Sequence, residues 1–244
     1  MKIVLISDTH NRHENIYVFK PGDSVSNQET LNNITGGVYL PEDADMVIHS
    51  GDVSMGGTDY EVDKFLKWYS CLPYRYKILV PGNHDKVFDF QRGIAQEILQ
   101  KYPDIIYLES SEIIIEGIKI YGEPRQPTFG FNWAFNVERG ERIKRYWDAV
   151  PDDVDILITH GPPYDIMDLT YHGRFVGCVD LANRIKELKN LKLCCFGHIH
   201  ESAGYLFKDN VHFVNASVLN LNYQLQNKPK VFEIDVNKNF VLLK

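Results

Sequence analysis

Five short runs of the chain, KIVLIS, MVIHS, KILV, DILIT and LCCF, are apolar almost without interruption, and each breaks off at a polar cluster. A strand with one solvated face alternates apolar and polar residues, whereas a parallel strand covered on both faces reads as a continuous apolar run. Such runs, spaced by helical segments, point to an α/β architecture. The clusters that follow them are Asp8-Thr9-His10, Gly51-Asp52, Gly82-Asn83-His84-Asp85, His160 and Gly197-His198-Ile199-His200.

In open α/β sheets, ligands bind outside the carboxyl ends of the strands, so five consecutive runs are expected to deliver their clusters to one rim. In an extended segment residues i and i+2 project to the same side. That spacing predicts convergence of Asp8 with His10 and of His198 with His200, with Thr9 and Ile199 turned away. Gly51, Gly82 and Gly197 precede these residues, and glycine permits the positive φ or close backbone approach that a tight turn beside a metal requires.

The candidate ligands are Asp8, His10, Asp52, Asn83, His160, His198 and His200. Carboxylate, amide and imidazole donors without thiolate suit Mn, Fe, Zn, Ni or Mg and argue against a Cys-rich structural zinc or an iron-sulfur cluster. Seven donors exceed one tetrahedral ion. Two divalent ions sharing a carboxylate fit the count, with Mn heading the candidates.

The ordered blocks D-x-H, G-D, G-N-H-D, H and G-H-x-H resemble the calcineurin-like metallophosphoesterases over roughly residues 3 to 200. That resemblance implies a single domain over residues 1–244, built as a four-layer α/β/β/α sandwich of two mixed sheets with outer helices. It implies one ion on Asp8, His10, Asp52 and His200, and a second on Asp52, Asn83, His160 and His198. A narrower likeness joins ITHGPP, GEPRQPTFGFNWAFNVERG and VGC to the metallophosphoesterase-domain proteins of vertebrate brain and their bacterial relatives. It implies hydrolysis of small phosphodiesters such as cyclic nucleotides. The long polar loop at residues 20–40 departs from that group.

Two-metal chemistry clamps an in-line displacement at phosphorus, with a hydroxide bridging the ions as nucleophile. The resemblance assigns His84 as the acid for the leaving alkoxide, and Asp85 as its support. The alternative readings are a phosphomonoesterase or protein phosphatase of the same fold, and a metal-binding scaffold without catalysis. The protein phosphatases usually carry G-D-x-V-D-R-G where this chain has GDVSMGG, and degenerate scaffolds lose ligands that are all present here.

Five of the nine histidines fall on the pattern. His49 lies inside a strand run and reads as a core residue able to orient a ligand. His13, His172 and His212 read as ordinary histidines. Arg12, just past His10, is a candidate phosphate donor, or a solvated loop residue. Residues 125–139 supply Arg125, Asn132 and Trp133 as candidate substrate contacts. Packing of Phe129, Phe131, Trp133 and Phe135 onto the body is the leading reading there, and base stacking the other. Asp165 and Asp168 read as solvent-facing or capping.

A net charge of −7 without a basic run argues against large nucleic-acid partners. Small phosphoesters need no such patch. Cys71, Cys178, Cys194 and Cys195 lack C-x-x-C spacing, which fits a reduced cytoplasmic setting. The apolar run before Asp8 is too brief for a signal peptide, and no stretch reaches membrane-spanning length. Helical periodicity is expected over residues 61–72, 94–102, 141–150 and 179–190. GYLFKD, VHFVNASV, KVFEIDV and FVLL read as later, antiparallel strands.

Overall fold

The computed structural model describes residues 1–19 and 38–243. Most of the expected polar loop at residues 20–40 lies outside them. The end of that stretch is a strand, Tyr39–Pro41, paired in parallel with Tyr17–Phe19.

The strands of the first half are β1 (Lys2–Ile6), β2 (Tyr17–Phe19), β3 (Tyr39–Pro41), β4 (Met46–His49), β5 (Tyr76–Leu79), β6 (Ile105–Tyr107), β7 (Ser111–Ile115) and β8 (Ile118–Glu123). Those of the second half are β9 (Gln126–Pro127), β10 (Asn136–Val137), β11 (Ile156–Thr159), β12 (Leu193–Phe196), β13 (Gly204–Lys208), β14 (Val211–Asn215), β15 (Lys230–Ile234) and β16 (Phe240–Leu243). One six-stranded sheet runs β16, β15, β1, β4, β5, β6, and the other runs β13, β14, β12, β11, β8, β7. In each the central strands are parallel, with antiparallel strands at the margins: β15 and β16 in the first, β7 and β13 in the second.

Alternate residues of each run serve different cores, which is why the runs are apolar throughout. Ile3, Leu5, Met46 and Ile48 face the second sheet, meeting Ile120, Ile156, Ile158 and Cys195. Val4, Ile6, Val47 and Leu79 face the helices of the first sheet. Leu157, Cys194 and Phe196 face those of the second. Three apolar layers between four layers of structure give the expected α/β/β/α sandwich.

The helices follow the sequence periodicity with shifted ends. The first spans Asp59–Ser70, where Thr58 and Glu61 form a reciprocal capping box that starts it two residues before the expected boundary. It buries Val62, Phe65, Leu66 and Tyr69, and the Tyr69 hydroxyl donates to the Ile78 carbonyl at 2.7 Å. Helices at Arg92–Leu99, Glu141–Asp148 and Val179–Glu187 each stop two or three residues short of the predicted end. A five-residue helix at Lys86–Phe90 is too short to register as a period. No helix among the described residues is long and apolar enough to cross a membrane.

Candidate metal centre

β1, β4 and β5, neighbours in the first sheet, lead into Asp8, Asp52 and Asn83. β11 and β12, neighbours in the second, lead into His160 and the pair His198 and His200. The rim is therefore shared between two sheets. The His198 amide links them there, lying 3.1 Å from both Asp8 carboxylate oxygens, while within the second sheet Gly197 donates to the His160 carbonyl at 2.9 Å.

The convergence expected from extended alternation arises differently. Asp8, His10, Asp52 and His198 all have positive φ, at 55°, 37°, 57° and 70°. Left-handed backbone costs a non-glycine residue about 1 to 3 kcal/mol and persists where surrounding bonds enforce it. Here the amides of Asp8, His10 and Asn11 donate to the carbonyls of Gly51, Asp52 and Val53 at 2.9 to 3.1 Å. The two loops hold one another in register. His198 and His200 do not meet at one point, because each turns to a different group of ligands. Ile199 is buried, and Thr9 points inward to His49, Oγ1 to Nε2 at 3.1 Å.

Among the described residues the donor atoms fall into three groups, those within each lying within 4.8 Å of one another: Asp8, His10 and His200; His10, Asp52 and His84; Asp52, His160 and His198. His200 Nε2 is 3.4 Å from Asp8 Oδ1, and His10 Nε2 is 3.9 Å from Asp8 Oδ1 and 3.6 Å from Asp52 Oδ2. His160 Nε2 is 3.3 Å from Asp52 Oδ2 and 2.9 Å from Asn83 Oδ1. Among the described residues Asp52 alone joins the His10 side to the His160 side, the position a bridging carboxylate requires.

The imidazoles share one device. Nδ1 of His10, His160 and His200 sits on the carbonyls of Ser54, Ser50 and Asn220 at 3.0, 2.9 and 3.1 Å. A carbonyl accepts only from N–H, so Nδ1 carries hydrogen and Nε2 faces the centre, as metal-binding histidines are commonly held. His10 Nε2 is buried with no hydrogen-bond partner among the described residues. An orphaned, inward nitrogen among carboxylates fits a divalent cation. So does a donor set of oxygen and imidazole nitrogen.

Charge is distributed unevenly. Burial alone pushes His160 and His200 down, but the carboxylates of Asp52 and Asp8 prevail and raise both to about 9. Burial likewise works to raise Asp8 and Asp52, yet the neighbouring histidines hold both below the ordinary carboxylate range. His10 and His198 are dominated by burial and fall to about 4 and about 3.

Glycines make room for this packing. Gly51 has φ +105°, and a Cβ there would collide with His160 Nδ1. At Gly197 a Cβ would overlap the Asp8 carboxylate. Each is fitted to the ligand of a different strand.

His84 stands at the edge of the centre, its ring 4.5 Å from that of His10 and its N–H donating to Asp52 Oδ1 at 2.8 Å. Asp85 does not touch the His84 ring, whose Nδ1 lies 2.6 Å from the Met55 carbonyl. The Asp85 carboxylate accepts from the amides of Gly82, Val53 and Ser54 and from the Ser54 hydroxyl at 2.7 to 3.2 Å. It staples the loop carrying Asn83 to the loop carrying Asp52. Burial, with the nearby Asp52 charge, lifts it to about 6. His49 is a core residue in contact with Thr9 and the Gly51 amide, steadying the loops around Asp8.

The residues read as substrate contacts divide. Arg125 is engaged within the protein: its guanidinium pairs with Glu123 at 2.8 Å and Glu109 at 2.9 Å and lies over the Tyr146 ring at 4.4 Å. Two carboxylates already saturate it, so it braces the loop. Arg12 is exposed beside the turn at His13–Asn15. Asn132 is exposed and lines a cavity of about 270 Å³ with Gly56 and Lys86. Trp133 packs 4.4 Å from the His84 ring, and Phe129 packs 4.9 Å from His198. The Ala134 amide donates to the Asn83 carbonyl at 3.0 Å, which ties this loop to the rim. Phe135 is buried and Phe131 exposed.

Sequence reading missed Asn220 and Tyr223. Asn220 holds His200 through its backbone carbonyl, and the Tyr223 ring lies 5.0 Å from His10 and 5.4 Å from His200. Neither belongs to a motif.

Comparison with known proteins gives the family and the fold. Human metallophosphoesterase domain-containing protein 1 is 34% identical over 259 residues, covering 98% of this chain and 72% of its own length. A UPF0046 protein of Caenorhabditis elegans is 32% identical over 96% of this chain and 75% of its own. The crystal structure of phosphopantetheinyl hydrolase from Mycobacterium tuberculosis superimposes with a TM-score of 0.59 at 15% identity, covering 91% of this chain and 90% of that one. At that identity the likeness is one of fold. A family model described as calcineurin-like phosphoesterase matches residues 1–202. The chain belongs to the calcineurin-like phosphoesterase family.

Proposed function

We propose that the protein is a dinuclear metal-dependent phosphodiesterase acting on small diesters such as cyclic nucleotides. Asp8, His10, Asp52 and His200 would hold one ion, and Asp52, Asn83, His160 and His198 the other, with Mn the leading candidate. The observation that carries the reading is the place of Asp52 in both the His10 and the His160 groups. When bound, such ions acidify a water molecule and neutralise charge on the phosphoryl oxygens.

The chain supplies the rest. With Nδ1 held by the Met55 carbonyl, His84 has Nε2 free to deliver a proton to the departing ester oxygen. A monoester dianion is best met by a bidentate guanidinium, and Arg125 is committed to Glu109 and Glu123. This favours the less charged diester. Phe129 and Trp133 stack on one another beside His198 and His84, offering π surface for a base. Lys86 Nζ lies 4.9 Å over the Trp133 ring. With four free cysteines and a net charge of −7, we place the activity in a reducing cytoplasm, without large nucleic-acid partners.

The test is metal-stripped protein reconstituted separately with Mn, Ni, Fe, Zn and Mg and assayed on bis-p-nitrophenyl phosphate, p-nitrophenyl phosphate and cyclic nucleotides. Metal-dependent diester cleavage exceeding monoester cleavage is expected. Preference for the monoester would replace the reading with a phosphatase, and silence with two ions bound would replace it with an unusual substrate or a scaffold.

A further inference from the structure

The turn at residues 219–226 lies beyond the stretch matched by the family model, yet it closes one side of the centre. It is pinned by one residue. The Asn220 amide donates to the Gln224 carbonyl at 2.9 Å, and its side-chain oxygen accepts from the amides of Asn222 and Gln224 at 2.9 and 3.1 Å. Its side-chain nitrogen donates to Gln226 Oε1 at 2.9 Å. The Asn220 carbonyl then takes two donors at once, the Tyr223 amide at 2.9 Å and His200 Nδ1 at 3.1 Å. Tyr223 is thus tied to a ligand histidine through a single oxygen.

Tyr223 also has left-handed backbone, φ 56°, which a bulky side chain adopts only under constraint. Its ring stands edge-on to His10 and His200 at 77° and 73°. The hydroxyl makes no hydrogen bond to the described residues, although the ring is only partly exposed. A phenol carries its proton at neutral pH and is therefore a donor. A strained residue with its ring among ligand histidines and an unspent donor at its tip serves something that enters the site.

We propose that Tyr223 is a substrate-contacting residue whose hydroxyl donates a hydrogen bond to a phosphoryl oxygen of the ligand bound on the Asp8, His10 and His200 side of the centre. The inference rests on the metal-dependent phosphoesterase reading, so its test includes binding as well as turnover. The ring and the hydroxyl have separable duties. The ring packs on two metal ligands, and the hydroxyl meets the anion.

The experiment compares wild type, Tyr223→Phe and Tyr223→Ala, each loaded with Mn, by metal analysis, by calorimetric titration with inorganic phosphate, and by KM and kcat on bis-p-nitrophenyl phosphate. Tyr223→Phe is expected to keep its metal and to bind phosphate about tenfold more weakly, the loss of one hydrogen bond to a charged group. A matching fall in kcat/KM is expected if the protein turns over the diester. Tyr223→Ala is expected to lose metal as well. If wild type cleaves no ester but Tyr223→Phe still weakens phosphate, the enzymatic reading fails and the Tyr223 contact stands. Unchanged phosphate affinity in Tyr223→Phe overturns the contact, as does loss of metal in that variant or failure of metal-loaded wild type to bind phosphate.

Discussion

Nε2 of His160 lies 2.9 Å from the side-chain oxygen of Asn83, although the two residues come from different sheets. Asn83 follows β5 and His160 follows β11, and each β-strand is embedded in its own sheet. A cation held by both would cross-link the sandwich at its rim. Binding to the native state stabilises by RT ln(1 + [L]/Kd), about 2.7 kcal/mol at a hundredfold excess over Kd. For a chain of this size that corresponds to a Tm rise of about 5 to 10 °C. Calorimetric scans with excess Mn and with EDTA measure it. Identical Tm values at saturating cation would show that no native-state site exists.

If Asp52 is the shared carboxylate, its neutralisation acts on both ions. Asp52→Asn keeps an acceptor for the His84 amide but removes the charge facing His10 and His160. Metal content is expected to fall from two ions toward one or none. Activity should drop roughly a hundredfold or more, since even outer partners of metal ligands cost 10- to 100-fold. Metal analysis beside turnover decides the matter. Full metal content would remove Asp52 from the bridging position.

His84→Ala separates chemistry from metal binding. The ring touches His10 from outside the two ligand sets, so two ions should remain bound. General-acid catalysis is worth about 10²- to 10⁴-fold, and the loss should scale with how much the leaving group needs a proton. A cyclic nucleotide should suffer far more than a nitrophenyl ester, whose anion leaves unaided. Equal losses on both substrates would assign His84 to positioning instead.

Arg125→Leu tests the brace against the substrate contact. Glu123 is fully buried, and burial already tends to raise its pKa while Arg125 opposes this. Removing the guanidinium leaves a buried acid without its partner, a loss of about 3 kcal/mol. Denaturant unfolding should show that loss, with KM for the diester unchanged in the surviving protein. A rise in KM at full stability would return Arg125 to the substrate.

The contrast between Asp52 and Arg125 shows what was legible beforehand. The convergence of Asp52 with the other candidate ligands was readable because the chemistry demands particular donor types, delivered by apolar runs in fixed order. The continuous runs also announced strands covered on both faces, and hence the layered fold. The ion pair of Arg125 with Glu109 was not legible, because the two lie 16 residues apart and only folding brings them together. The partners that orient His10, His160 and His200 are backbone carbonyls of Ser54, Ser50 and Asn220, which leave no side-chain signature. Left-handed φ at Asp8, His10, Asp52 and His198 is equally silent, since Asp and His adopt it more often than most residues but far less regularly than glycine.

His13, three residues past His10, gives the pH dependence of stability away from the metal ligands. It is buried between Phe65 and Trp68, with both ring nitrogens unpartnered among the described residues. Burial, only partly offset by Glu14, lowers its pKa from 6.5 to about 4. Between those values the unfolded chain binds a proton at this position and the native protein does not, so stability rises with pH. The contribution is fully present above pH 6.5 and lost as pH falls to about 4, amounting to about 3 kcal/mol. His13→Phe keeps an aromatic ring in the same slot and removes the proton. Urea titrations at intervals from pH 4 to 7 should show the variant gaining on wild type as the solution is acidified. If the two curves stay parallel across that window, the His13 ring is protonated in the native protein and has a partner.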